Sequence, residues 1–258
     1  VWGQNYGVSQ DDNRPCVAAL PDGDILLGGS VRRIDIDSFG GEYWHDDLYL
    51  ARLDSLGTPR WESLVDGPGS SSYPYEPTQQ TGDYLVGIVP MANGRILTAS
   101  RYGIYGEYSI YNAVWLVEYT AEGSIVSTSR PLYNWSHGSE DSFWTQDFQP
   151  APGDGYLLAG SFTPGALWTQ PYVFRTGAQA WHRAYSQWEF TFSAVRASTD
   201  GSTLAAGGTS GSAGGKPLLG EAEKNDQALE LLKEFRGRHP ASFKAASLQA
   251  SLLGQGQK

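Results

Sequence analysis

"VAALPDGDILLGGS" (residues 17–30) sets apolar residues on both sides of a Pro-Asp-Gly turn and closes on a glycine pair, the pattern of a β-hairpin. It returns as "GIVPMANGRILTAS" (87–100), "DFQPAPGDGYLLAGS" (147–161) and "SAVRASTDGSTLAAGGT" (193–209), each with a strand-like lead, a Gly-containing turn and a second strand ending in small residues. Such self-similarity marks a repeat architecture. A second hairpin follows in three of the units: "DLYLARLDSLGTPRWESLV" (47–65), "NAVWLVEYTAEGSIVSTSRPLY" (112–133) and the shortened "PYVFRTGAQAWHRAY" (171–185). Two hairpins per unit predict four antiparallel strands, the content of one propeller blade. The opening "VWGQNYG" (1–7) matches the closing strands "PRWESLV" and "QAWHRAY", so the chain begins one strand out of phase with its own repeat. That offset lets a first strand complete the last blade, closing the ring and removing exposed edges.

The pattern resembles the secreted bacterial β-propeller repeats, whose consensus runs from an apolar strand through "DGG" and "yivaGs" to "D-x-y-L-x-k-l-D", "s-x-G" and a Trp-bearing strand. The match covers residues 1 to about 210 and is tightest in "LPDGDILLGGS" and "DLYLARLDSLGTPRWE". The resemblance implies architecture and a non-catalytic binding or structural role; it transfers no catalytic residue.

The expected fold is therefore all-β: a β-propeller of four-stranded antiparallel blades, with repeats near 8–66, 84–133, 145–186 and 190–210 and residues 1–7 as a closing strand. The fourth repeat has no recognisable second half. It gives way to a Gly/Ser-rich linker at 211–220 and then, at 221–258, to a segment rich in Ala, Leu, Glu, Lys and Gln. In that segment Leu229, Leu232 and Phe235 have helical spacing, His239-Pro240 breaks the pattern and Ser242 is placed to cap a second helix. A helical tail is expected there. Helices plugging the gap, a partner chain supplying strands, and an incomplete propeller with an unrelated tail all fit this pattern.

Composition narrows the function classes. Among 258 residues, 32 glycines and 13% aromatics fit a turn-rich, strand-rich domain with a sizeable core. A formal charge of −10 and the lack of a basic stripe exclude nucleic acid as a partner. A glycan or a protein surface is easier to accommodate. No apolar run reaches membrane-spanning length. Cys16 has no second cysteine to pair with and reads as a small buried hydrophobe. The start at Val1, the single Met91 and the absence of a basic-then-apolar leader are read as a processed or excised chain of an exported protein, hence secreted, periplasmic or cell-surface.

In a propeller blade the turns "PDGD", "ANGR", "DSLG" and "TAEG" fall on one face, and the long connections fall on the other. Those connections, "RRIDIDSFGGEYWHDD", "RYGIYGEYSIYN", "FTPGALWTQ" and "NWSHGSEDSFWTQ", are rich in aromatics. The expected ligand-binding set is Tyr43, Trp44, His45, Asp46, Tyr102, Tyr105, Tyr111, Trp135, His137, Trp144 and Trp168. Tyr and Trp beside scattered carboxylates suit sugars or protein surfaces.

Signals for chemistry are thinner. Asp35, Asp37 and Glu42 in "DIDSFGGE" have the look of an oxygen-ligand calcium loop, but Phe39 stands where a third ligand belongs, and no other cofactor is indicated. His45 beside Asp46 and Asp47, and His137 near Glu140 and Asp141, offer acid–base groups, although neighbours on a strand point to opposite sides. The glycines of "GDGYLLAG" and "AAGGTSGSAGG" lack a phosphate-loop context. "NWS" (134–136) is formally an N-glycosylation acceptor, read as structural. "STDGST" resembles the Asp-box hairpin of sialidase-type propellers without its closing aromatic, and the arginine trio of those enzymes has no place here. Three functions follow: a non-enzymatic recognition module for a glycan or protein; a propeller-type glycan hydrolase or lyase using His45, Asp46, His137 and Asp141; and an assembly subunit that docks its tail or self-associates.

Overall fold

The computed structural model describes residues 13–36, 40–67, 81–82, 84–105, 110–131, 142–163, 169–177, 180–184, 190–197, 203–209 and 218–219. These residues form strands and turns, with no helix among them. The closing strand expected at 1–7 and the tail expected at 221–258 lie outside the described residues.

Among the described residues, sixteen strands make four sheets, antiparallel except for one two-residue parallel pairing. The first runs β1 (Asn13–Ala19), β2 (Ile25–Ile36), β3 (Glu42–Leu53), β4 (Pro59–Val65), and a two-residue β5 (Thr81–Gly82) lies parallel to β3. The second runs β6 (Tyr84–Pro90), β7 (Ile96–Tyr105), β8 (Ile110–Tyr119), β9 (Ile125–Ser129). The third runs β10 (Ser142–Ala151), β11 (Gly155–Thr163), β12 (Gln170–Arg175), β13 (Trp181–Ala184). The fourth runs β14 (Phe190–Ala197), β15 (Thr203–Thr209), β16 (Leu218–Leu219). Each hairpin repeat thus builds one sheet in plain sequential order.

Three segments differ from expectation. The aromatic connections between second and third strands are largely strand: β2 and β3 pair without interruption from Ile25↔Leu53 to Ile36↔Glu42, and β7 and β8 from Ile96↔Tyr119 to Tyr105↔Ile110. Their mixed polar and aromatic residues hid the alternation, because the pairing extends beyond the core. The expected linker at 211–220 contains β16, which pairs with β15 at Ala206↔Leu219 and Gly207↔Leu218; two residues of strand carry no periodicity to read.

Four turns of the first two sheets share one design. In each, the backbone N–H of residue one donates to the carbonyl of residue five, and residue four, a glycine at φ between 80° and 89°, donates its N–H to the carbonyl of residue one: Gly23, Gly57, Gly94 and Gly123. A side-chain oxygen from Asp22, Asp54, Asn93 or Thr120 accepts the backbone N–H two residues on.

The chain divides into two compact units, Val1–Trp144 and Thr145–Lys258. In the first unit, the core lies between the first two sheets, with Leu26, Leu48, Leu50, Leu85, Ile96, Trp115, Val117 and Tyr119 buried together. Gly28 makes the close approach possible, since a Cβ there would sit 2.8 Å from Leu85 Cδ2 and 3.0 Å from Ile88 Cδ1. Ser30 Oγ accepts the Leu85 N–H at 2.9 Å, and the Cys16 thiol reaches the Val86 carbonyl at 3.7 Å. At the turn end, Trp61 of β4 stacks on Tyr119 with centroids 6.5 Å apart and donates its indole N–H to the Ala121 carbonyl at 2.9 Å. Arg52 donates to the same carbonyl at 3.0 Å. This fastens the last turn of the second sheet to the first.

In the second unit, Ala151, Leu157, Ala159, Val173, Phe192, Val195 and Ala205 form the core. Asp147 of β10 accepts the Val195 N–H at 2.7 Å and pairs with Arg196 Nη1 at 2.8 Å, which ties the leading strands of its two sheets together. Thr145 and Tyr172 share a buried hydroxyl–hydroxyl hydrogen bond of 2.5 Å.

One diagonal cross-strand position is filled in three ways. It is Asp24 with Arg52 (2.7 Å) in the first repeat, Arg95 with Glu118 (2.6 Å) in the second, and Tyr156 tilted against Phe174 (6.3 Å) in the third. Burial alone would raise the Asp24 pKa, yet hydrogen bonds and charge from Arg52 and Arg60 outweigh it and hold the carboxyl below its usual range. Arg95 and the Ser127 hydroxyl hold Glu118 low in the same sense. Burial pushes the Tyr156 phenol up to about 12.

Candidate functional site

The polar groups that the core cannot absorb gather at the hairpin end of the first unit, opposite the short turns. Register sets Arg32 across from Asp46, Arg33 across from His45 and Ile34 across from Trp44. Arg32 Nε lies 3.2 Å from Asp46 Oδ1, and Arg33 reaches diagonally to Asp47 Oδ2 at 3.0 Å. Asp46 and Asp47 are 6% and 0% exposed, so each arginine neutralises a buried carboxylate. Successive strand residues face opposite sides, which separates Asp46 from Asp47 despite their adjacency in sequence. β5 lies alongside, with Thr81 beside His45 and Gly82 beside Asp46.

A few residues along, Tyr84 of β6 stands directly across from Arg101 of β7. Arg101 is 4% exposed, and its guanidinium carbon sits 5.2 Å from the Tyr84 ring centroid and 4.1 Å from that of Trp144. Trp144 itself is 42% exposed. A buried guanidinium therefore stacks on an indole that is open to solvent, within the range where cation–π attraction is effective. The contact with Arg101 holds the ring on one side while the rest of it faces solvent.

Of the residues expected to form the site, Trp144 is exposed at this end. Asp46 is present there but spent on Arg32. Tyr102 requires a correction: it is 1% exposed and belongs to the core between the two sheets, with Arg130 stacked 5.4 Å from its ring. It follows Arg101 on β7, so the alternation that aims Arg101 at Trp144 turns Tyr102 inward. Tyr43, Trp44, His45, Tyr105 and Tyr111 lie on the paired arms, at Asp35↔Tyr43, Ile34↔Trp44, Arg33↔His45, Tyr105↔Ile110 and Ile104↔Tyr111, and their side chains fall outside the described part. Trp135, His137, Asp141 and Trp168 lie outside the described residues. So do Asp37 and the Asp35 side chain, which with Glu42 made up the calcium expectation. Among the described residues, no three His, Cys, Asp or Glu side chains gather as a metal site.

The reading from sequence missed Arg32, Arg33, Tyr84 and Arg101. The available signal was a cation inside an otherwise apolar strand, in "GGSVRRIDI" and "LTASRYG".

No family model matches the sequence, and no curated protein matches it. Among solved structures the chain is similar to the Hadza microbial sialidase Hz136, with a TM-score of 0.54 and 10% identity over 80% of this chain and 43% of that one. The chain thus spans less than half the length of the sialidase. That likeness shows a shared fold. A structure of the GH130 family of mannoside phosphorylases aligns over 80% of this chain and 62% of its own, with a TM-score of 0.36 and 13% identity.

Proposed function

We propose that the chain is a β-propeller-type recognition module of an exported protein, of the secreted bacterial repeat kind it resembles, and that it binds a glycan without catalysis at the hairpin end of its sheets. The observation that carries this reading is the exposed Trp144 indole seated on the buried Arg101 guanidinium. A fixed aromatic plane suits the apolar C–H face of a pyranose ring, and the guanidinium beneath enriches no acid–base chemistry. Asp46 commits its carboxylate to Arg32, which counts against its use as a free acid–base group. The fold shared with a sialidase supports a propeller scaffold for such a site.

The test is intrinsic tryptophan fluorescence during titration with a panel of neutral and acidic oligosaccharides. Saturable binding is expected for at least one glycan, weakened about tenfold or more by Trp144→Ala. Equal affinity in the variant, or turnover of the bound glycan by the wild-type chain, contradicts the reading.

A further inference from the structure

Antiparallel strand order brings four connections of the first unit to the end where Trp144 lies: 37–41 between β2 and β3, 66–83 between β4 and β6, 106–109 between β7 and β8, and 130–141 between β9 and β10. In sequence these stretches hold several Asp and Glu residues, no lysine, and Arg130 as their one arginine. Among the described side chains, the strands supply three more cations at this end, and each is already committed. Arg32 is held by Asp46 at 3.2 Å and Arg33 by Asp47 at 3.0 Å. Arg101 comes nearest to anything resting on Trp144, yet it is 4% exposed with its guanidinium against the indole. That leaves too little surface for the paired N–H fork by which arginine grips a carboxylate. Arg130 sits 5.4 Å from the ring of Tyr102, which alternation turns to the face of β7 opposite Arg101. Arg14 stands at the start of β1, its side chain outside the described part.

Resting on the reading that Trp144 receives a glycan, we infer that the site selects uncharged sugars and turns away those that carry a carboxylate, such as uronic and sialic acids. An acidic sugar needs a cation with N–H groups to spare beside the ring, and the described arginines spend theirs on Asp46, on Asp47 and beneath the indole. The connections add carboxylates to the same end, and the chain as a whole carries a formal charge of −10. Both oppose an anionic ligand, most strongly at low salt. A neutral pyranose escapes this penalty. Its C–H face packs on the indole, and its hydroxyls need only neutral partners. Ser142, two residues before Trp144 on the same side of β10, is one: its Oγ accepts the Asn112 backbone N–H at 3.0 Å, and its own O–H remains to donate.

Calorimetric titration of the full chain with matched pairs of oligosaccharides, at low and moderate ionic strength, tests this. The pairs are galacto-oligosaccharides with oligogalacturonates, gluco-oligosaccharides with oligoglucuronates, and lactose with sialyllactose. The neutral member of at least one pair should bind about tenfold or more tighter than its acidic counterpart, with an affinity that salt leaves unchanged. Added salt should narrow the gap. The double variant Glu140→Lys/Asp141→Lys should raise affinity for the acidic member severalfold and leave the neutral member as it was. An acidic member that binds wild type as tightly as its neutral partner overturns the inference, and so does a double variant that gains nothing. The two levels of the reading fail differently. Neutral binding that Trp144→Ala leaves intact, or no binding by any pair, removes the site and the selectivity with it. Binding that depends on Trp144 but accepts both members equally removes the selectivity alone.

Discussion

The two ends of the first unit are made from the same strands and use their polar groups in opposite ways. At the turn end, Asp22, Asp24, Arg52, Arg60, Trp61 and the Ala121 carbonyl satisfy one another within 3.0 Å, and the indole is consumed as a fastener between sheets. At the hairpin end, Arg101 supports an indole from beneath and leaves it open. A tryptophan whose N–H and ring are both spent contributes stability; one held from a single side is available to a ligand. The same residue type therefore reads as scaffold at position 61 and as surface at position 144.

The largest effect should come from Gly123→Ala, which attacks the fastener directly. Its φ of 86° disfavours any side chain, and a Cβ there would lie 2.6 Å from the Trp61 ring. A loss of about 3 kcal/mol in urea unfolding is expected. Trp61→Ala should cost about 2–3 kcal/mol. Because both changes break one contact, the double variant should lose clearly less than the sum, and strict additivity would separate the glycine from the tryptophan.

Smaller effects should appear in the pH dependence. The folded-state pKa of Asp24 lies below the ordinary carboxylate value, so its contribution is present above that value and fades as pH falls through the lower folded value. Arg52→Met should move the acid-unfolding midpoint upward, and its deficit relative to wild type should shrink at the acid extreme. Tyr156 has the opposite sign. Its phenol is raised from 10.0 to about 12, so stability is lost as pH rises through that window, and Tyr156→Phe should flatten the alkaline limb. An unchanged limb in either variant removes that residue from the account.

How much of this was legible in the sequence follows the range of the interactions. The turns could be read because each is closed within five residues by an Asp, Asn or Thr oxygen and a glycine at positive φ. The four sheets followed from their repetition. The extended arms read as loops because residues 32–36 and 42–47 mix charged, polar and aromatic groups without a regular apolar alternation. The Arg32–Asp46 pairing and the Tyr84–Arg101–Trp144 stack join residues 14 to 60 positions apart; register brings the first pair and Tyr84–Arg101 together, and packing between separate sheets brings in Trp144. Tyr102 was misplaced for the same reason: in "SRYG" nothing local says which of two neighbours turns inward.

The most direct measurement sets Trp144→Ala beside Trp61→Ala and reads both melting temperature and glycan affinity for each. The account expects Trp144→Ala to melt close to wild type while binding weakens about tenfold or more, and Trp61→Ala to melt lower while binding persists wherever it is folded. Full affinity in Trp144→Ala, with loss of binding confined to the unstable variant, would contradict it.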